Sequence, residues 1–157
     1  MPTRLFIHGL ESGNQGTKSV YFRERYPDMI TPNFTGDLDV RMEKLGIVLS
    51  GKSDIRMVGS SFGGLMATLF ALGAPDRVHS LVLLAPALNL LDSSAYTDRK
   101  IHCPVRIYHG VGDEVIPLNH IRPIAEGLFT DLTFHAVDDD HFLHGTFKAI
   151  DWDELLA

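Results

Sequence analysis

Residues 55–65, Ile-Arg-Met-Val-Gly-Ser-Ser-Phe-Gly-Gly-Leu, decide the reading of this chain. Ile55 to Val58 is an apolar run of strand length, and Phe62 to Leu72 carries Leu65, Leu69 and Leu72 on one helical stripe. Between them stands Gly59-Ser60-Ser61-Phe62-Gly63, a G-x-S-x-G pattern in a strand–turn–helix context. Gly59 and Gly63 leave room where bulkier side chains would strike neighbouring backbone. Ser61 is then held out between the strand's end and the helix's start, where free N–H groups favour developing negative charge. Alone, so short a pattern reads equally well as a loop with a helix-capping serine; its place between strand and helix favours a nucleophile. Ser60 is the rival, but only Ser61 has glycine both two residues before and two after.

Outward from this turn, strand-length runs recur at Leu5–Ile7, Met29-Ile30, Leu81–Ala85, Val105–Tyr108 and Leu132–Val137, with Met29-Ile30 the weakest. Helical patterns alternate with them. They cover Lys18–Tyr26, Leu38–Leu49, Phe62–Leu72, Asn119–Phe129 and Gly145–Leu156. Gly73 and Pro75 end the third, and Trp152 in the last is expected to pack it onto the sheet. Strands alternating with helices predict βαβ units, a parallel sheet and helices on both faces: an α/β, three-layer α/β/α sandwich formed by one domain over residues 1–157.

Composition narrows the function classes. The 157 residues are 45% hydrophobic and 22% charged, as in ordinary globular proteins and unlike disordered or coiled-coil chains. Fourteen Lys and Arg against twenty Asp and Glu leave a charge of −6, and no basic cluster offers a nucleic-acid surface. Cys103 is the single cysteine, so neither an intrachain disulfide nor a two-thiolate zinc site is available; it reads as a small buried hydrophobe. No run is long enough to span a bilayer and the first apolar run is too short for a signal peptide, which points to a cytoplasmic protein without a membrane partner.

In open parallel sheets the chemistry lies beyond the carboxyl ends of the strands. After the fifth run comes His109-Gly110-Val111-Gly112-Asp113-Glu114-Val115-Ile116-Pro117. Asp113 is the candidate acid, preferred to Glu114 by the H-G-x-x-D-x-x-x-P pattern, although Gly-Asp is also ordinary turn chemistry. After the sixth run comes Asp138-Asp139-Asp140-His141. His141 is the candidate base, while His144 three residues on reads as a surface or capping residue. The order Ser61, Asp113, His141 has separations of 52 and 28 residues, room for two strand–helix units and then one. The first run ends in His8-Gly9-Leu10. Leu10 N–H and Phe62 N–H are the candidate oxyanion-hole donors, and His8 is expected to tie its loop down by a hydrogen bond. His141, His144 and Asp138 to Asp140 also compose a possible surface cation cluster.

Together, HGLESG, GSSFGG, HGVGDEVIP and DDDH resemble the serine α/β-hydrolases over nearly the whole chain, most of all the small lidless bacterial esterases of the YqiA-like group. Asn14-Gln15-Gly16-Thr17-Lys18 is also similar to a segment of mitochondrial acyl-protein thioesterases of this fold. The resemblance implies a minimal version of the fold, with a mainly parallel six-stranded sheet in the order 2-1-3-4-5-6. Pro86 to Pro104 leaves nineteen residues where larger members carry a lid, too few for a lid domain. Leu88, Leu90 and Leu91 there are candidates for an acyl pocket or for a short connecting helix. The expected function is hydrolysis of small-molecule carboxylic esters of short to medium acyl chains, through a Ser-His-Asp triad and an acyl-enzyme, with no metal or cofactor. The alternatives are an acyl thioesterase, on acyl-CoA or acyl-protein, and a non-catalytic binding protein of the same fold.

Overall fold

A computed structural model describes residues 1–157, the side chain of Ala95 apart. Five parallel strands form one sheet: β1 (Thr3–Ile7), β2 (Ile55–Ser60), β3 (Val78–Leu84), β4 (Val105–Gly110) and β5 (Leu132–Val137), adjacent in chain order. Around them lie α1 (Thr17–Arg25), α2 (Leu38–Val48), α3 (Phe62–Gly73), α4 (Leu118–Leu128) and the short α5 (Trp152–Leu155).

The period-2 alternation of each strand sorts the core into two halves. Leu5, Ile7, Met57, Leu81, Leu83, Val105 and Ile107 point to one face, where Leu45 of α2, Leu65 of α3 and Ile121 of α4 cover them. Phe6, Val58, Val82 and Leu84 point to the other, under Phe22 of α1 and Trp152 of α5. The smaller half is an aromatic cluster. Phe22 meets Trp152 edge-on at 4.8 Å and Phe147 at 5.4 Å, and the Trp152 indole N–H donates to Phe147 O at 2.9 Å.

The sheet has five strands, not six. Met29-Ile30 makes one parallel bridge, Ile30 to Leu5, on the outer side of β1. Ile30 N–H donates to Arg4 O and Phe6 N–H donates to Ile30 O. The next residue of that strand due to donate is Pro32, which has no N–H, so the ladder stops after one rung. The helix expected over Gly145–Leu156 is also shorter. A 3-10 turn covers Phe147–Ala149, Ile150 is extended (φ −68°, ψ 136°), and the helix restarts under the Asp151 cap, which accepts from Glu154 N–H. Its aromatic anchor stands where expected, with Trp152 almost fully buried.

The segment between β3 and β4 holds two 3-10 turns and, among the described residues, no α-helix. Leu88 is fully buried in the larger core, Leu90 is exposed and Leu91 packs against that core. Cys103 is half-buried against the same core, and burial pushes its thiol up to about 11. Among the described residues no helix is long and apolar enough to cross a membrane.

Trp152→Ala removes the largest side chain of the aromatic cluster. It is expected to cost about 3–5 kcal/mol in urea unfolding; a loss below about 1 kcal/mol would mean that α5 does not anchor this face.

Candidate active site

β2 runs into α3 through Ser61, whose backbone is left-handed at φ 55°, ψ −114°. A non-glycine residue held in such a sparsely populated conformation costs about 1–3 kcal/mol. Its surroundings enforce the turn. Ser61 N–H donates to Leu84 O at 2.8 Å, and Ser61 O accepts from Gly64 N–H at 2.9 Å and Ala87 N–H at 3.0 Å. The two glycines of the motif are required by crowding: a Cβ on Gly59 would collide with Gly63 O, and one on Gly63 with Ile7 O.

The three residues expected to act together come together. The Ser61 hydroxyl lies 3.2 Å from His141 Nε2, and His141 Nδ1–H donates to Asp113 Oδ2 at 2.7 Å. The other Asp113 oxygen accepts from Val115 N–H at 2.9 Å and Ile116 N–H at 2.7 Å. The carboxylate is fully buried while the imidazole keeps 11% exposure, so the ring is reachable and its partner is not. Ser60 and Glu114 take no part in this chain of hydrogen bonds.

The loops carrying Asp113 and His141 are locked to each other. Val111 N–H donates to Val137 O, and Gly112 N–H donates to Asp139 O. The acidic run that resembled a cation site is spent on this loop. Asp139 accepts from Asp140, Gly145 and Thr146 N–H, and Asp140 accepts from Phe142 N–H and pairs with His144 Nδ1 at 2.6 Å. Partial burial raises the Asp139 carboxyl, but the hydrogen bonds outweigh it and hold the group below its usual range. His144 is exposed, as expected of a surface residue.

The loop after β1 closes the other side. His8 is buried; its Nδ1–H donates to Gly9 O at 2.7 Å and its Nε2 accepts from Phe34 N–H at 2.8 Å, which ties the loop down. The Cβ position of Gly9 lies 3.3 Å from Ser61 Cβ and 3.9 Å from Phe62 N. Among the described residues, neither Leu10 N–H nor Phe62 N–H donates to a backbone acceptor. A cavity of about 560 Å3 opens beside Ser61, walled by Leu10, Lys18, His141, Phe142, Leu143 and Phe147 among others. Leu88, Leu90 and Leu91 are not in its wall, which leaves their connecting-turn role.

Two residues of the site went unrecognised in the sequence. Lys18 lines the cavity. His109 lies fully buried beneath the acid, its Nε2–H donating to Ile116 O at 2.7 Å and standing 3.3 Å from Asp113 Oδ2. Its Nδ1 has no hydrogen-bond partner among the described residues. The signal was present in β4, where His109 follows Val105 and Ile107 on the inward face.

The profile of the alpha/beta hydrolase fold matches residues 32–101. Alpha/beta hydrolase domain-containing protein 10 from mouse superposes with a TM-score of 0.75 at 20% identity, over 90% of this chain and 82% of that one. Est1E from Butyrivibrio proteoclasticus gives 0.72 at 21%, over 94% and 83%. A monoacylglycerol lipase from Paleococcus ferrophilus gives 0.68 at 16%, over 90% and 88%. Among curated proteins, none matches this sequence. The fold is that of the α/β-hydrolases, as the motif set suggested.

Burial lowers the pKa of both His8 and His109 from the ordinary 6.5. In the unfolded chain both rings regain that ordinary value, so below about pH 6.5 the unfolded state binds more protons than the folded one. The stability owed to keeping them neutral is complete above pH 6.5 and is lost as pH falls towards their lowered folded values. Thermal melts should therefore drop between pH 7.5 and 5.5, and the drop should be smaller in His109→Phe. An equal drop in the variant would show that His109 does not contribute.

Proposed function

We infer that this protein is a serine hydrolase that cleaves carboxylic esters of short to medium acyl chains through an acyl-enzyme. The observation that carries the reading is the run of hydrogen bonds from Asp113 through His141 to Ser61, ending at a strained serine beside a cavity. Among the structural neighbours are a monoacylglycerol lipase and a form of Est1E with ferulic acid bound.

In the proposed mechanism His141 Nε2 takes the Ser61 hydroxyl proton as Oγ attacks the acyl carbonyl, a general-base role worth about 10²–10⁴-fold. Asp113 holds the ring by Nδ1 and stabilises the imidazolium that forms. The Leu10 and Phe62 N–H groups receive the oxyanion; loss of one such donor costs about 10²–10³-fold in rate. Collapse of the tetrahedral intermediate breaks the bond to the leaving oxygen, which takes the proton from His141. Water, deprotonated by the same imidazole, then releases the acid and restores Ser61.

The cavity volume of about 560 Å3 suits a small molecule. The short connection between β3 and β4 supports an open site and modest acyl chains. Acyl thioesters undergo the same transfer, and acyl-CoA beside aryl esters in one assay panel assigns the leaving group.

A fluorophosphonate probe should label the protein, and Ser61→Ala should abolish labelling; labelling that survives Ser61→Ala but not Ser60→Ala would overturn the assignment. Asp113→Asn should lower kcat by about 10⁴-fold. Across p-nitrophenyl esters of rising length, kcat/KM should peak at short or medium chains, and a peak at long chains would refute the open-site reading.

A further inference from the structure

Among the described residues Lys18 is the one half-buried lysine in the cavity wall, and the proposed acyl transfer has no use for it. It stands in the first turn of α1, where the helix dipole opposes a cation, so local helix energetics do not explain it. Its ammonium donates to Phe142 O at 2.8 Å and lies 5.5 Å from the centre of the Phe147 ring. Among the described residues no carboxylate stands within ion-pair distance of it. An ammonium has three N–H donors, and one is engaged by Phe142. Burial lowers its pKa, against a weaker opposite pull from Asp140 and Asp139.

A cation half-removed from water, with donors to spare and Phe142, Leu143 and Phe147 beside it, gains most from an anionic partner entering the cavity. A second lysine, Lys148, lines the same cavity; it is exposed and makes no hydrogen bond or ion pair to a described residue. Among the described residues Glu11 is the only acidic one in the wall. The cavity therefore carries an excess of lysine in a chain whose net charge is −6, a local field that concentrates anions.

We propose that Lys18, with Lys148 at the rim, selects esters whose non-reacting end carries an anionic group, a carboxylate or a phosphate. The proposal rests on the serine-hydrolase reading above.

Two substrate sets test it. On the acyl side, p-nitrophenyl hydrogen adipate is compared with p-nitrophenyl hexanoate, which differs by a terminal carboxylate in place of methyl. On the leaving side, 4-acetoxybenzoate and 4-acetoxyphenyl phosphate are compared with phenyl acetate, which separates carboxylate from phosphate. The wild type should favour the anionic member of at least one set in kcat/KM. Lys18→Met should reduce that ratio by about fivefold or more, and Lys18→Arg should retain most of it. Raising ionic strength should shrink the preference in the unmodified protein, a readout independent of how the variants fold. No preference in either set, or a Lys18→Met loss equal for neutral and anionic esters, overturns the proposal; the second result would make Lys18 a strut on the His141 loop. Failure of the hydrolase reading looks different: neither hexanoate nor phenyl acetate is turned over, and Ser61 takes no fluorophosphonate.

Discussion

The left-handed backbone of Ser61 is the constraint on which the rest depends. β2 must end, turn and begin α3 within one residue, and the turn exists only because α3 presses against β1 closely enough for Gly63 to touch Ile7 O. That contact needs β1 beside β2 in register, with Ile7 opposite Gly59. It also needs β3 on the other side, because Leu84 O receives Ser61 N–H and Ala87 N–H returns to Ser61 O. β1, β2 and β3 thus meet around one strained residue, and the strain of about 1–3 kcal/mol is offset by the packing of α3, most of whose residues are buried.

The far side of the site is organised by a different kind of interaction. Backbone N–H groups hold one oxygen of Asp113 and both Asp139 and Asp140, while the His141 and His144 rings take the remaining oxygens of Asp113 and Asp140. Around them the buried imidazoles of His8 and His109 are kept neutral by desolvation, each spending an N–H on a backbone carbonyl. Both rings therefore hold structure around the site as neutral, buried groups.

How much of this was legible depended on how local the determining physics was. The five longer apolar runs announced themselves because each turns apolar side chains towards the cores on the two faces of the sheet, and the turn at Ser61 because glycine spacing there is dictated by contacts of a few ångströms. Met29-Ile30 looked like a strand because its residues suit one; whether it continues was decided by a missing N–H at Pro32, which marks the end of a ladder without showing on which side of β1 it would form. The last helix was misjudged because apolar spacing from Phe147 to Leu156 is helical, yet Phe147 and Trp152 are brought together by an extended Ile150. Leu88 to Leu91 offered apolar side chains near the site in sequence, but their destination depends on which side of the sheet the connection crosses. The alternation of β4 marks His109 as inward-facing but not what it meets; its partner Asp113, like Phe142 for Lys18, is set by tertiary placement.

The order of the elements along the chain bears on how the site comes into being. During synthesis from the amino end, the strands β1 to β5 emerge in the order in which they lie side by side, so each strand's first neighbour is the one made just before it. The strained serine and its helix are complete early, the acid follows β4, and the imidazole comes only after β5, on the last loop before the Phe147–Trp152 cluster. The candidate nucleophile thus precedes the candidate base by 80 residues, and the hydrogen-bonded set closes only when all five strands are present.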